Sequence, residues 1–381
     1  MSKFIKSKAY INGMLKLVFQ GQEMDQSIIN AIRRIIIGES PSYSLLGNFT
    51  IHLNTSELND EYIMTRIQMI PLFVQNFNDV SFFEQKPLFF ISSPDDPKTP
   101  LINENDRDLI VNTHMFQIFD QSGNNITDKY PIESIIKYNM PILKLRKGQE
   151  FHLEVEPSLG IGHNHASFKS AIVTYKFENP VSSGDKTDVN NSPITGEKIE
   201  TIADKKNYYK DETWENPSNI SMTIRENGHY TVDDSFRLAL QTLENKLLRL
   251  QVLIDNKNTL ASENNTSIEI IPSTDIDNYI QIRIQDPDNT DTPIATHTIG
   301  NLIATHMNYR IGKMTKMNIE QIRLSMASYK RPHPLDEIIY INVKAPPGIY
   351  NDDKVNPSER LIDDTISDIL GYINKVQAEF K

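Results

Sequence analysis

Cysteine is absent from all 381 residues of the chain, which excludes disulfides, thiolate nucleophiles and cysteine-ligated zinc at the outset. A basic excess is missing too. Lys and Arg total 39 against 50 Asp and Glu, a formal net charge of −11. Proteins that grip nucleic acid on their own draw most of their affinity from phosphate contacts, so this balance points to protein partners and away from sequence-specific DNA binding. No apolar run approaches the roughly 18–20 residues that cross a bilayer. The opening MSKFIKSKAY lacks the apolar segment of a secretory signal. The expectation is an intracellular, reducing location with no membrane attachment. No G-x-x-x-x-G-K-[ST] loop occurs, and the lone Gly160-Ile161-Gly162 is not a nucleotide loop.

With 38% hydrophobic and 23% charged residues, the chain can build the cores of two or three domains under a polar surface. Residues 10–20 predict an opening strand, followed by a helix N-capped at Ser27. Ile28, Ile32, Ile35 and Ile36 share one face of that helix, while Ile29 and Ile37 widen the apolar stripe and Arg33 and Arg34 take what remains. A helix apolar over most of its girth needs packing on more than one side. Gly38-Glu39-Ser40-Pro41 ends it. Two long amphipathic helices are predicted over 232–254 and 357–380, the second opening on Asn356-Pro357-Ser358-Glu359. Residues 181–216 and 255–267 are polar and read as linkers.

An internal repeat is also present. Ser27-Ile28-Ile29-Asn30-Ala31-Ile32 aligns with Thr298-Ile299-Gly300-Asn301-Leu302-Ile303. Strand-like sequence precedes each copy, and a long helix follows further on. The shared order implies duplication and a pseudo-two-fold pair.

The segment Asn30-Ala31-Ile32-Arg33-Arg34-Ile35, continuing to Glu39 and Pro41, resembles the N-A-L-R-R-I-x-x-x-E-x-P signature of RNA polymerase alpha-type subunits. Asn54-Thr55-Ser56 through Ile70-Pro71-Leu72 is similar to the family's next block, and Leu145–Glu150 with Gly160–Ala166 to the third. These blocks are similar to the third-largest subunit of eukaryotic RNA polymerase II and its archaeal counterpart. In the C-terminal third, His297-Thr298-Ile299-Gly300-Asn301-Leu302 and Tyr329-Lys330-Arg331-Pro332-His333-Pro334-Leu335-Asp336 resemble the small alpha-like partner, the eleventh eukaryotic subunit and its archaeal equivalent.

The resemblance implies an α+β fold with two alpha-like dimerisation modules fused in one chain as an intramolecular pseudo-two-fold pair. The first module would take 1–44 and 167–254, interrupted by a mainly-β inserted domain at 45–166. A linker at 255–267 would lead to the second module at 268–381. The dimer-like core would comprise Ile28, Ile32, Ile35, Ile36, Ile299, Leu302 and Ile303, with Arg33 and Arg34 docking one of the large subunits. The implied role is non-catalytic: the pair nucleates the polymerase and docks its two largest subunits, alongside small assembly subunits. No cofactor is implied, the catalytic magnesium belonging to the largest subunit. Relatives often hold zinc or an iron–sulfur cluster through cysteines, and here this chain departs from them. Fusion is a habit of large nucleocytoplasmic DNA viruses, and the Ile-, Asn- and Lys-rich composition leans the same way. A viral source would place the protein in the host cytoplasm and in the virion.

Other readings of particular residues stay open at this point. Asp286-Pro287-Asp288-Asn289-Thr290-Asp291 has acidic spacing, but no Gly or terminal Glu completes a calcium loop, so a solvated turn is expected. His163 and His165 lack an evident third ligand. Lys330-Arg331 reads as a turn bearing surface charge, and plain solvent exposure is the alternative for Arg33 and Arg34. Two rival functions remain: a virion interaction protein that kept the fold, and a metal-dependent nuclease or transferase using Asp286, Asp288 and Asp291.

Overall fold

Asn12 and Gly13 both take positive φ, 51° and 75°, and turn the N-terminal segment back on itself. Strand Ile5–Ile11 therefore pairs antiparallel with Met14–Gln20, Ile11 opposite Met14. The single strand expected over 10–20 is a hairpin. Asn-Gly favours the two-residue turn whose twist matches paired strands, and that signal outranks the apolar pattern around it.

The computed structural model describes residues 4–20, 26–78, 80–94, 96–178, 219–255, 266–273, 277–287, 293–315, 318–333, 336–347 and 356–380. The linker expected at 181–216, most of that at 255–267, and Asp288–Asp291 lie outside them. The main helices are α1 (Gln26–Gly38), α2 (Asp60–Gln68), α3 (Val232–Asp255), α4 (His297–Met314) and α5 (Pro357–Glu379). Ser27 lies inside α1 rather than capping it. Among the described residues no helix is long and apolar enough to cross a membrane.

The chain divides into two compact units. The first comprises Met1–Arg34, Val173–Ile224 and Leu240–Lys381. It holds two four-stranded sheets. One runs in the order Ile5–Ile11, Met14–Gln20, Asn219–Glu226, Ala171–Glu178. The other runs Ser267–Pro272, Tyr279–Gln285, Ile338–Lys344, Met326–Lys330, antiparallel throughout. In its two central strands every second residue is buried, and the register sets Ile280 against Val343, Ile282 against Ile341 and Ile284 against Ile339. That period-two stripe makes one apolar face, with α4 packed on Ile338–Lys344 and α5 on Tyr279–Gln285.

Both long helices form where the apolar spacing puts them. Phe236, Leu240, Leu243, Leu247, Leu250 and Ile254 are buried along α3; Ile362, Ile366, Ile369, Ile373, Val376 and Phe380 are buried along α5. Asn356 caps α5 by accepting from Ser358 N at 2.9 Å, with Pro357 in the first turn. Near the far end of α5, the Glu379 carboxylate accepts from the backbone N–H groups of Phe4 (3.2 Å) and Ile5 (2.8 Å).

The second unit comprises Ile35–Ile172 and Arg225–Ala239, so α1 and α3 each run from one unit into the other. Its largest sheet orders Phe49–Asn54, Glu150–Val155, Leu88–Ile91 and Gln117–Phe119, and its core gathers Phe89, Phe116, Phe151, Ile63, Ile67 and Leu72 among others. Asn59 caps α2 by accepting from Tyr62 N.

Candidate functional site

Most of the apolar stripe of α1 is sealed: Ile28, Ile29, Ile32, Ile35 and Ile36 are at most 1% exposed, while Ile37 is half-buried. Ile299, Leu302 and Ile303 of α4 are equally buried. Of these, Ile28, Ile32, Ile299, Leu302 and Ile303 belong to the first unit, whereas Ile35 and Ile36 belong to the second, where Ser170 Oγ donates to Ile36 O.

Within the first unit α1 and α4 face each other across a small polar cleft. Ser27, Asn30, Ala31 and Arg34 line it from α1; His297, Thr298 and Asn301 line it from α4, with Tyr329 at its side. Two repeat-equivalent pairs, Ser27 with Thr298 and Asn30 with Asn301, thus meet at one place. Arg34 Nε donates to Thr298 Oγ1 at 3.1 Å. Arg33 instead turns back along its own helix, its Nε and Nη2 donating to Asn30 Oδ1 at 3.1 and 3.0 Å. Gly300 leaves room for a ring: a Cβ there would stand 2.6 Å from Tyr329 Cδ2. The edge of that ring also meets His297, centroids 5.9 Å apart. Two sequence blocks about thirty residues apart are therefore one packing motif. Nothing in the sequence reading singled out Thr298 as the partner of Arg34; the available signal was its hydroxyl at the repeat position of Ser27.

In the second unit the sequence blocks also converge. Pro41–Ser44 pairs with Ser158–Ile161, and His163 N donates to Gly38 O at 2.8 Å. A side chain on Gly162 would strike Ile37 O, and one on Gly160 would meet the Phe168 ring. His165 accepts from Ser167 N and caps the short helix Ala166–Phe168. Thr55 exchanges hydrogen bonds with Glu150, and Glu57 pairs with Arg146 at 2.8 Å. His229 is wholly buried, Nε2 donating to Ser167 O at 2.7 Å; burial pushes its pKa down from the ordinary range.

Two expectations need correction. Asp286 is not in a solvated turn: it is 2% exposed and accepts from Thr266 Oγ1 and from the backbone N–H groups of Ile294 and Ala295. Thr266 in turn accepts from Arg249 on α3. The carboxylate ties down the loop that leads into α4, because a buried acceptor this crowded with donors holds backbone firmly. Arg331 is likewise not a free surface charge; its Nε donates to Asp336 O at 2.9 Å and its Nη2 lies 3.2 Å from Glu337 Oε1. Among the described residues no three His, Asp or Glu side chains gather as metal ligands.

Fold and site define a mixed α/β protein whose distinctive residues are used to pack helices and shape turns. The chain belongs to the family described as the RNA polymerase Rpb3/Rpb11 dimerisation domain, which matches residues 18–247. A protein of Arabidopsis thaliana named DNA-directed RNA polymerases IV and V subunit 3B is 32% identical over 174 residues, covering 42% of this chain and 53% of its own length. DNA-directed RNA polymerase subunit Rpo3 of Pyrobaculum arsenaticum is 27% identical over 163 residues (43% of this chain, 58% of its length). Its Pyrococcus furiosus namesake is 31% identical over 163 residues (43% and 54%). The chain spans a little over half the length of these curated relatives. Helices α4 and α5 lie beyond the matched family span.

Proposed function

We propose that this chain is a non-catalytic assembly subunit of a DNA-directed RNA polymerase, with two alpha-like partners fused into one polypeptide. The observation that carries the reading is the cleft between α1 and α4, where equivalent residues of the two repeat copies meet and Arg34 bonds Thr298. The relatives' names support the polymerase assignment. In this reading 1–44 and 167–254 form the first module, 45–166 the inserted domain, 255–267 the linker and 268–381 the second module. Fusion raises the effective concentration of the second module to about millimolar and fixes equal stoichiometry.

The pair would nucleate the enzyme and dock its two largest subunits, with Arg33 and Arg34 on the docking side and the small assembly subunits as further partners. The chain would need no cofactor, the catalytic magnesium lying on the largest subunit. A large nucleocytoplasmic DNA virus is the source this reading favours, with the protein working in the host cytoplasm and packaged in the virion.

Purification of the tagged chain from the cells that make it, followed by mass spectrometry, tests the reading. The two largest polymerase subunits should co-purify, and the chain alone should make no RNA on a template. Absence of both subunits, or synthesis by the chain alone, overturns it.

A further inference from the structure

In the largest sheet of the second unit a row of rings crosses the strands Phe49–Asn54, Glu150–Val155, Leu88–Ile91 and Gln117–Phe119. His52 lies 4.6 Å from His152 between ring centroids, His152 stacks on Phe90 at 6.5 Å, and Phe90 meets Phe119 edge-on at 5.2 Å. A bulge makes the imidazole contact. Phe151 stands opposite Asn54 and Leu153 opposite Ile51, so His52 and Leu53 share the single partner His152. The extra residue re-aims its side chain, here toward the neighbouring ring.

The two imidazoles differ in their surroundings. His52 is open to solvent, with its Nε2 3.2 Å from Glu154 Oε2. His152 is 9% exposed, and its Nε2 donates to Pro97 O at 2.8 Å. Pro97 belongs to a tight turn, in which the Asp96 carboxylate accepts from Lys98 N and Thr99 Oγ1, each at 3.0 Å. Ser93 N donates to Thr99 O at 2.8 Å and closes its base. Among the described residues the charged and titratable groups facing His152 are His52 from one neighbouring strand, Glu154 from its own and Asp96 from the turn, with Lys98 beside Asp96. The strand on the other side offers Phe90. Burial is the main influence on His152 and pushes its pKa down; the Pro97 carbonyl pulls it up, His52 pushes it down, and Glu154 and Asp96 pull it up.

We propose that His152 is a proton-operated latch for the Asp96–Thr99 turn: the neutral ring holds Pro97 on the sheet, and the protonated ring lets it go. A charge buried against Phe90 loses its hydration, and a proton on His52 would set a second positive ring 4.6 Å away. The charge is accommodated when the ring leaves the sheet, and its hydrogen bond to Pro97 leaves with it. In the open state His152 titrates near the ordinary value of about 6.5, and in the closed state lower. Opening is therefore favoured as the pH falls below about 6.5, by up to about tenfold for each unit, and is indifferent to pH above it. The latch needs no partner, so it stands or falls separately from the assembly reading.

The chain lacks cysteine, so Lys98→Cys gives a single attachment site for a nitroxide on the turn. Electron paramagnetic resonance of the labelled full-length chain then distinguishes a turn held on the sheet from a released one. Between about pH 7.5 and about pH 5.5 the ratio of released to held should rise about tenfold, while circular dichroism remains that of the folded chain. His152→Gln in the same labelled chain keeps a donor for Pro97 O but takes up no proton, and its ratio should not change with pH. His52→Gln removes the neighbouring positive charge and should reduce the rise. Glu154→Gln removes the compensating carboxylate and should enlarge it.

A ratio constant over this range in the labelled chain overturns the proposal. So does a rise of the same size in His152→Gln. Should that variant not fold, equal rises in His52→Gln and Glu154→Gln overturn it instead, because neither charge then bears on the group that titrates.

Discussion

Arg34 and Thr298 stand 264 positions apart in the chain, yet the arginine Nε donates to the threonine Oγ1 across 3.1 Å. The bond joins the two copies of a repeat that share only short sequence similarity. A double-mutant cycle with Arg34→Ala and Thr298→Val, read by urea unfolding, should give a coupling of about 0.5–1 kcal/mol, below the roughly 1.5–3 of a buried bond to a charged group because the arginine is exposed to solvent. Strictly additive single effects would mean that the contact is not formed in solution.

Ile32 and Leu302 are each completely buried. Truncation of either to Ala should destabilise the protein by about 2–5 kcal/mol through lost transfer energy and the cavity left behind. Denaturant midpoints check this, and a loss below about 1 kcal/mol would place the side chain at a surface.

Gly300 and Gly162 are required by space rather than by backbone angle. At Gly300 the intruding methyl would meet a ring that can tilt, whereas at Gly162 it would meet the backbone carbonyl of Ile37. Gly162→Ala should therefore cost more than Gly300→Ala, which we place at about 1–3 kcal/mol. Thermal melts of the two variants settle the order.

His229 carries a pH dependence of definite sign. Burial lowers its folded pKa, while the unfolded chain titrates near the ordinary value of about 6.5. Its contribution to stability is full above that ordinary value. It declines as the pH falls, because the unfolded chain then takes up a proton that the folded one refuses. His229→Gln retains a donor for Ser167 O but does not titrate. The wild-type advantage in melting temperature should shrink between about pH 7.5 and about pH 5.5; a difference independent of pH contradicts the assignment.

Asp286→Ala would strip the Ile294 and Ala295 N–H groups and the Thr266 hydroxyl of a buried acceptor. A loss of about 2–4 kcal/mol is expected, at roughly 1–3 for each group left buried without a partner, partly relieved by water entering. Hydrogen exchange in 293–296 should accelerate with it. Protection unchanged there would remove Asp286 from its role as organiser of the loop.

The long helices were legible because their apolar residues recur at the helical period and a single face had to be covered, as Phe236–Ile254 and Ile362–Phe380 illustrate. The burial of Ile28 and Ile32 was legible for the same reason, whereas that of Ile299 and Leu302 followed from the repeat and the family resemblance. The hairpin at Asn12-Gly13 was legible in its turn residues, which outrank the apolar run beside them. Asp286 was misjudged for a deeper reason. Acidic spacing describes composition along the chain, whereas burial of a carboxylate is decided by which backbone N–H groups the fold brings to it.

By itself the amino-acid order determined the long helices: periodicity set α3 and α5, and Asn356-Pro357 set where the last one begins. Only the tertiary structure decided the pairings across hundreds of residues, Arg34 with Thr298, Gly300 with Tyr329, Gly162 with Ile37. Local periodicity is a property of neighbours on one element. A hydrogen bond or a missing Cβ takes its meaning from whichever distant segment arrives opposite it, and that arrival is fixed by the packing of whole sheets and helices.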